Sequence, residues 1–318
     1  MSDDERIALE PMHRTTGVAA DWPGEHEAAR RMLAHALGGF RARLRPAGEG
    51  DFCLAFRQHA RIVRVARHAE AAAALEREAC VMSRIAAALP LPVPQPVFHR
   101  PAERCAFSVH ARIPGAALTR RRWERLPPAV REEAARGLGR FLDALHALPV
   151  AEGTRCGVPT LDRAACATRL RRDAAVLASR LAPRVATRLD AALARWSAPA
   201  ADDAEPAPVL LHRDVAPGHV LFDARSGALT GVIDFGDLAV GDPARDFIYV
   251  HEDFGPEILA GVLRGYGRES AATLLPRMHA WYLLETVEWA AACAGREDVV
   301  GMRQAVAEIA TELELLGM

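Results

Sequence analysis

The sequence predicts an α+β chain in two lobes, a small antiparallel sheet with one key helix followed by a larger, mostly helical part. Three observations carry this. Short runs rich in valine, isoleucine and phenylalanine fill residues 40–66, and the helical run after them stops at Leu89-Pro90-Leu91-Pro92-Val93-Pro94. Beyond Gly115 the apolar spacing becomes helical. Inside that helical half lie two isolated apolar strands, each running into a loop that ends on an acidic residue.

Residues 1–35 form a mostly polar leader with a helix from Gly24. Strands are expected over 40–46, 53–58 and 61–66, the first turn being the glycine-bearing Ala47-Gly48-Glu49-Gly50-Asp51. Residues 71–89 read as a helix, 97–99 and 106–112 as strands, and Pro114-Gly115 as a break. The lobes are therefore drawn as 1–112 and 113–318. In the second, 132–148 carries a stripe through Leu138, Phe141, Leu142 and Leu145. Residues 161–196 read as helix interrupted at Pro183, and 198–208 as a loop. Helices over 256–266, 270–294 and 298–316 finish the chain.

Half of the 318 residues are apolar, enough for one large or two modest cores. The net charge of −1 gives no field that points to nucleic acid or an anionic membrane. No apolar run is long enough to span a bilayer, and the acidic start, Met1-Ser2-Asp3-Asp4-Glu5-Arg6, has no apolar h-region. The six cysteines are scattered without a C-x-x-C pair, which implies reduced thiols, not a disulfide or zinc framework. A soluble, cytoplasmic monomer is expected. The chain has no lysine and no asparagine, so all forty Lys+Arg residues are arginine.

The two loops hold the chemistry. Leu210-Leu211-His212-Arg213-Asp214-Val215-Ala216-Pro217-Gly218-His219 delivers Asp214 onto an irregular segment, where a carboxylate can orient a hydroxyl and take its proton. Val232-Ile233-Asp234-Phe235-Gly236-Asp237 follows, with Asp234 twenty residues past Asp214. A carboxylate at such a strand end is costly to bury without a cation, and magnesium held by carboxylates plus substrate phosphates supplies one. His219 can return toward that metal. In Gly241-Asp242-Pro243-Ala244-Arg245-Asp246-Phe247, Asp246 reads as a cap on backbone.

Parity sorts the third strand of the small lobe. Ile62, Arg64 and Ala66 share one face, making Arg64 the phosphate candidate with Ile62 over a base. Glu78 falls on the apolar stripe Leu75, Met82, Ile85 and Leu89, where it needs a buried partner, and Arg64 meets that need. The turn at Gly48 and Gly50 suits a loop over phosphates.

With Ser108-Val109-His110-Ala111-Arg112-Ile113-Pro114-Gly115, these segments resemble the aminoglycoside phosphotransferase family over roughly residues 40–270. His219 and the string I-D-F-G-D followed by D-P-x-x-D-F are most similar to its 2''-phosphotransferases. Macrolide phosphotransferases share the histidine but carry tryptophan where this chain has Phe235. The resemblance implies a two-lobed, protein-kinase-like fold, Asp214 as catalytic base, and Asp234 and His219 on the metal side. It implies ATP or GTP as donor with Mg2+, main chain around Ala111 and Ile113 on the base, and Ile233 beneath it. Arg64 stands where the family has lysine, and His219 where it more commonly has asparagine. A cationic small-molecule acceptor would call for acidic residues, and Asp237, Glu252, Asp253, Glu285 and Glu288 are the candidates, with Trp281 able to stack on a sugar ring. The other readings are a kinase of another small alcohol (a macrolide or an amino sugar), a protein kinase, and a non-catalytic nucleotide binder. No A-P-E follows the D-F-G, and helices begin almost at once after it, which speaks against a protein kinase.

Overall fold

The computed structural model describes residues 22–36, 44–161, 163–197 and 206–317. Alternation builds the first sheet. In β2 (Cys53–Gln58) and β3 (Arg61–Ala66), Leu54, Phe56, Val63 and Val65 turn to one face, where they pack with Met32 and Leu33 of α1 (His26–Ala36). The opposite face takes Ala66 and Ala106 against Ala71, Ala72 and Leu75 of α2 (Ala69–Ile85). With β1 (Arg45–Glu49), β4 (Val97–Ala102) and β5 (Cys105–Ala111) the sheet has five strands in the order β1-β2-β3-β5-β4, every neighbouring pair antiparallel.

The chain divides into two compact units. The first holds the described residues up to Leu118 together with 151–158 and 218–238. Its second sheet joins β6 (Ala116–Ala117), β8 (Val220–Phe222) and β9 (Leu229–Val232). Gly231 of β9 is obligatory, because a Cβ there would meet the Pro92 carbonyl oxygen at 2.6 Å and Ile113 Cγ2 at 2.7 Å. The second unit holds the described residues of 119–150, 159–217 and 239–318. There β7 (Val209–Leu211) pairs with β10 (Ala239–Gly241). The helices α3 (Pro128–His146) and α6 (Pro256–Gly265) lie so close that a Cβ on Gly139 would collide with the Val262 carbonyl oxygen, and one on Gly265 with that of Arg136. Helices α4 (Arg163–Leu177) and α5 (Pro183–Ser197) pack with α7 (Ala271–Gly295) and α8 (Val299–Leu315). No helix among the described residues is long and apolar enough to cross a membrane.

Several expectations need correction. Ala47, Gly48 and Glu49 belong to β1, not to a turn, and of the strand expected at 40–46 residues 40–43 lie outside the described residues. A register shift between Pro46 and Gly48 lets the strand run on, and the chain reverses at 50–52, where the Gly50 N–H donates to Cys53 O at 3.0 Å. Strands β8 and β10, three residues each, are too short for periodicity to reveal. Most of the expected loop at 198–208, residues 198–205, lies outside the described residues. Cys80 and Cys156 form a disulfide, against the expectation of thiols only. They are 76 residues apart, so no local spacing announces the pair. Segment 151–158 folds back on α2, where Arg84 Nε donates to Glu152 Oε2 at 2.5 Å.

Candidate active site

The first unit assembles a charged constellation around one guanidinium. Arg64, on β3, donates from Nη1 to both Glu78 carboxylate oxygens at 3.0 and 2.7 Å, and from Nη2 to Asp234 Oδ1 at 2.7 Å. The Glu78 side chain is fully buried, that of Arg64 is 14 % exposed and that of Asp234 is 38 % exposed. The bridge therefore runs from the interior of α2 to a carboxylate with one edge open. Burial pushes the Glu78 carboxyl up; the Arg64 charge and the Phe235 backbone N–H act the other way. The paired carboxylates hold Arg64 charged despite its burial. Cys53, beside this cluster, is pushed up to about 11 by burial and stays a thiol.

Asp234 leaves β9 with φ at +68°, a left-handed conformation that costs of order 1 kcal/mol for a residue with a side chain. The turn is held by the Ile233 N–H, which donates to His219 O at 2.9 Å, and by Phe235, whose ring is fully buried. His219 Nε2 stands 3.5 Å from Asp234 Oδ2, the oxygen that Arg64 leaves to it. Gly236 follows, and a Cβ there would only touch Arg64 Nη2 and Asp234 Oδ1, each at 3.5 Å.

The expected nucleotide residues of this unit lie on β1 (Gly48), β3 (Ile62, Arg64), α2 (Glu78) and the end of β5 (Ala111), with Gly50, Ile113 and Ile233 in irregular segments. Ile62 pairs with His110 across β3 and β5, Ala111 ends β5 with its carbonyl oxygen 3.0 Å from His110 Nδ1, and Ile113 packs over Gly231. Gly48 and Gly50 are exposed, their carbonyls engaged by His26 Nε2 at 3.1 Å and Arg67 Nη1 at 2.8 Å. Asp237 is exposed.

The second unit holds Asp214 on a loop whose backbone is organised by a buried carboxylate. Asp246 accepts the His212 N–H at 2.9 Å on one oxygen and the Arg213 N–H at 2.6 Å on the other. It thus caps loop backbone, as its place in the sequence suggested. Arg213 takes φ +69°, and the Asp214 N–H donates to His212 Nδ1 at 3.2 Å. Behind Asp246 stands His146, whose Nε2 lies 2.9 Å away, and behind that Tyr266, whose hydroxyl lies 2.9 Å from His146 Nδ1. Burial alone would push the Asp246 carboxyl up, yet the bond from His146 and the His212 backbone hold it below the usual carboxylate range. With an anionic Asp246, His146 donates from Nε2 and accepts the tyrosine O–H on Nδ1. His146 and Tyr266, 100 residues before Asp246 and 20 after it, carry no sequence signal that links them to the loop.

The expected acceptor-binding residues are distributed unevenly. Glu252 is exposed and Asp253 partly buried on the π turn Val250–Phe254, among further carboxylates. Partial burial and then Asp253, Glu308 and Glu285 push Glu252 up to about 7. Glu285 accepts from Arg245 Nη2 at 2.5 Å, and Glu288 from Arg169 Nε at 2.7 Å. Trp281 is 8 % exposed, with Arg245 4.4 Å over its ring, Trp196 edge-on and its Nε1 donating to Asp242 Oδ2 at 3.0 Å. Its ring is therefore covered from within the unit rather than open for stacking, because it lies on the buried stripe of α7.

Residues 54–281 match a family model described as the phosphotransferase enzyme family. Among solved structures, a mutant of aminoglycoside 2'-phosphotransferase IIIa with GDP superimposes with a TM-score of 0.80 at 20 % identity, covering 91 % of this chain and 97 % of that one. APH(2'')-IIIa with GDP and kanamycin gives 0.77 at 20 % identity over 89 % and 97 %. The macrolide 2'-phosphotransferase MphH of Brachybacterium faecium gives 0.61 at 20 % identity over 84 % and 91 %. The uncharacterized protein YcbJ of Bacillus subtilis (strain 168) is 39 % identical over 57 residues, 18 % of this chain and 18 % of that protein. The fold expected from the sequence is the kinase-like one these structures share.

Proposed function

The chain belongs to the phosphotransferase enzyme family, and on that premise we propose that it transfers the γ-phosphoryl group of ATP or GTP to a hydroxyl of a cationic small molecule, an aminoglycoside of the 2''-type reading. The observation that carries it is the Arg64 bridge, with Nη1 on buried Glu78 and Nη2 on Asp234. In a chain without lysine, the bridge supports reading Arg64 as the fixed cation for a nucleotide's phosphates. The residues around Asp234 fit a magnesium ion through the half-open Asp234 carboxylate; His219 offers nitrogen, which suits magnesium poorly, and acts through a bound water or by holding a carboxylate. When bound, the ion would neutralise charge on the transferring phosphoryl group.

The chain's own residues divide the remaining work. Asp214 accepts a hydrogen bond from the attacking hydroxyl and takes its proton late in transfer. Asp246 holds the loop that aims Asp214. Arg64 donates to phosphate oxygens, while Ile62, Ile113 and Ile233 supply apolar surface to a base and the main chain at Ala111 its polar contact. Gly48 and Gly50 carry no side chain to block phosphates from approaching this segment. Glu252 and Asp253 attract a cationic acceptor, with Asp237, Glu285 and Glu288 adding negative charge and Trp281 setting the position of Arg245 and Asp242. A second reading is a macrolide or amino-sugar kinase, favoured by the likeness to the macrolide enzyme. A coupled nucleotide-turnover assay over kanamycin, gentamicin, a macrolide and amino sugars, with product mapping by mass spectrometry, tests both. Phosphorylated kanamycin or gentamicin supports the first; turnover only with a macrolide or amino sugar moves the assignment to the second. No turnover with any acceptor overturns both.

A further inference from the structure

Outside the residues used above, the second unit holds a cluster with a different chemistry. His251 on the π turn, His279 on α7 and Glu312 on α8 each offer one ligand atom, and these three atoms lie within 4.8 Å of one another. Glu312 is 2 % exposed, and a carboxylate so buried needs a cation or strong donors. His279 Nδ1 meets its Oε2 at 2.8 Å. The His251 ring stands edge-on to that of His279, centroids 5.0 Å apart. His251 Nδ1 is fully buried and makes no hydrogen bond. Leaving that nitrogen unpaired costs about 1–3 kcal/mol, which a bound cation would relieve.

We propose that His251, His279 and Glu312 form a zinc site that ties the π turn to the two C-terminal helices. Two imidazoles and one carboxylate are a donor set zinc accepts, with water in the fourth position. Magnesium and calcium, which take oxygen almost throughout, fit it poorly. Tetrahedral zinc with bonds of about 2.0–2.2 Å sets its ligand atoms roughly 3.3 Å apart. Side-chain rotation closes the remaining distance. A ligating imidazole is neutral, so the proton between His279 Nδ1 and Glu312 must move to Nε2 or to solvent as the ion enters. The turn that would be tied also carries Glu252 and Asp253, which the proposed function assigns to the acceptor; the metal site itself stands independently of that assignment.

The test uses the full chain, stripped with chelator and held in excess Mg2+ to saturate oxygen-donor sites. Zinc chloride is titrated against a chromophoric competitor, and cobalt chloride is added separately as a spectroscopic substitute. One equivalent of zinc with at least 100-fold weaker binding in both His251→Gln and His279→Gln is expected, together with intense tetrahedral d–d bands from cobalt. Absence of a stoichiometric zinc site in the parent chain overturns the proposal, as do equal affinities in parent and variants. Loss of zinc binding in His219→Asn with retention in His279→Gln would relocate the ion and overturn it as well. Cobalt bands are recorded on the parent chain, so a variant that fails to fold leaves the geometry measurable; weak octahedral bands alone refute it.

Discussion

Arg64 donates to Asp234 Oδ1 at 2.7 Å through one nitrogen while its other terminal nitrogen grips Glu78, so a single planar group on β3 spans a carboxylate of α2 and one of the loop after β9. A lysine ammonium is a point charge and cannot reproduce that fork. Arg64→Lys is therefore expected to fold but to raise the nucleotide KM about tenfold, a ΔΔG of about 1.4 kcal/mol. Arg64→Ala leaves Glu78 buried without its partner and should lose about 3–5 kcal/mol in denaturant unfolding. Equal stability of Arg64→Ala and the parent would contradict this account of the bridge.

Asp246 should govern the shape of the loop bearing Asp214 without touching substrate. Asp246→Asn turns one acceptor oxygen into a donor facing backbone N–H groups, at a cost of about 1–3 kcal/mol. The expected kinetic signature is a lowered kcat with KM nearly unchanged. If the loss appears wholly in KM, the loop is not what Asp246 positions.

The same carboxylate makes an acid-stability prediction. Its pKa is held below the unfolded value of about 3.9, so its contribution is complete above that pH and disappears as pH falls through the folded pKa. Acid unfolding curves of the parent should therefore fall more steeply below about pH 4 than those of Asp246→Asn. Parallel curves would remove Asp246 from the explanation.

His219 stands 3.5 Å from Asp234 Oδ2, which suits the supporting role proposed for it. His219→Asn, which restores an oxygen donor, should keep kcat within about threefold, while His219→Ala should lose more. Total loss in the asparagine variant would give the imidazole a dedicated function.

The disulfide predicts four alkylatable thiols under denaturing, non-reducing conditions and six after reduction. Closing a loop with a separation of 76 residues is worth about 4.5 kcal/mol in the chain-entropy model. Reductant should accordingly lower Tm in the parent and leave a Cys80→Ser, Cys156→Ser double variant unmoved.

What could be read from the sequence follows from range. Strand parity put Arg64 and Glu78 together because both patterns are local, and the strands at 53–58 and 61–66 coincide with β2 and β3. The two acidic loops announced the family for the same reason. The partners that hold those loops were invisible: His146 and Tyr266 reach Asp246 only through tertiary packing. Trp281 and Glu285 share a helix face as periodicity implied, but periodicity does not say that Arg245 occupies it. Cys80 and Cys156 failed to register because a disulfide between distant residues needs a fold before it has a spacing.

The close approach of α3 and α6 at Gly139 and Gly265 has a consequence for transplantation. His146 ends one of these helices and Tyr266 follows the other, so the distance between their backbones sets the depth at which Asp246 is supported. The loop from His212 to His219 is thus no portable cassette. Grafted alone onto a foreign scaffold it would keep its letters and lose its aim. The smallest transferable module includes β7, β10, the Pro243–Phe247 turn and this glycine-notched helix pair.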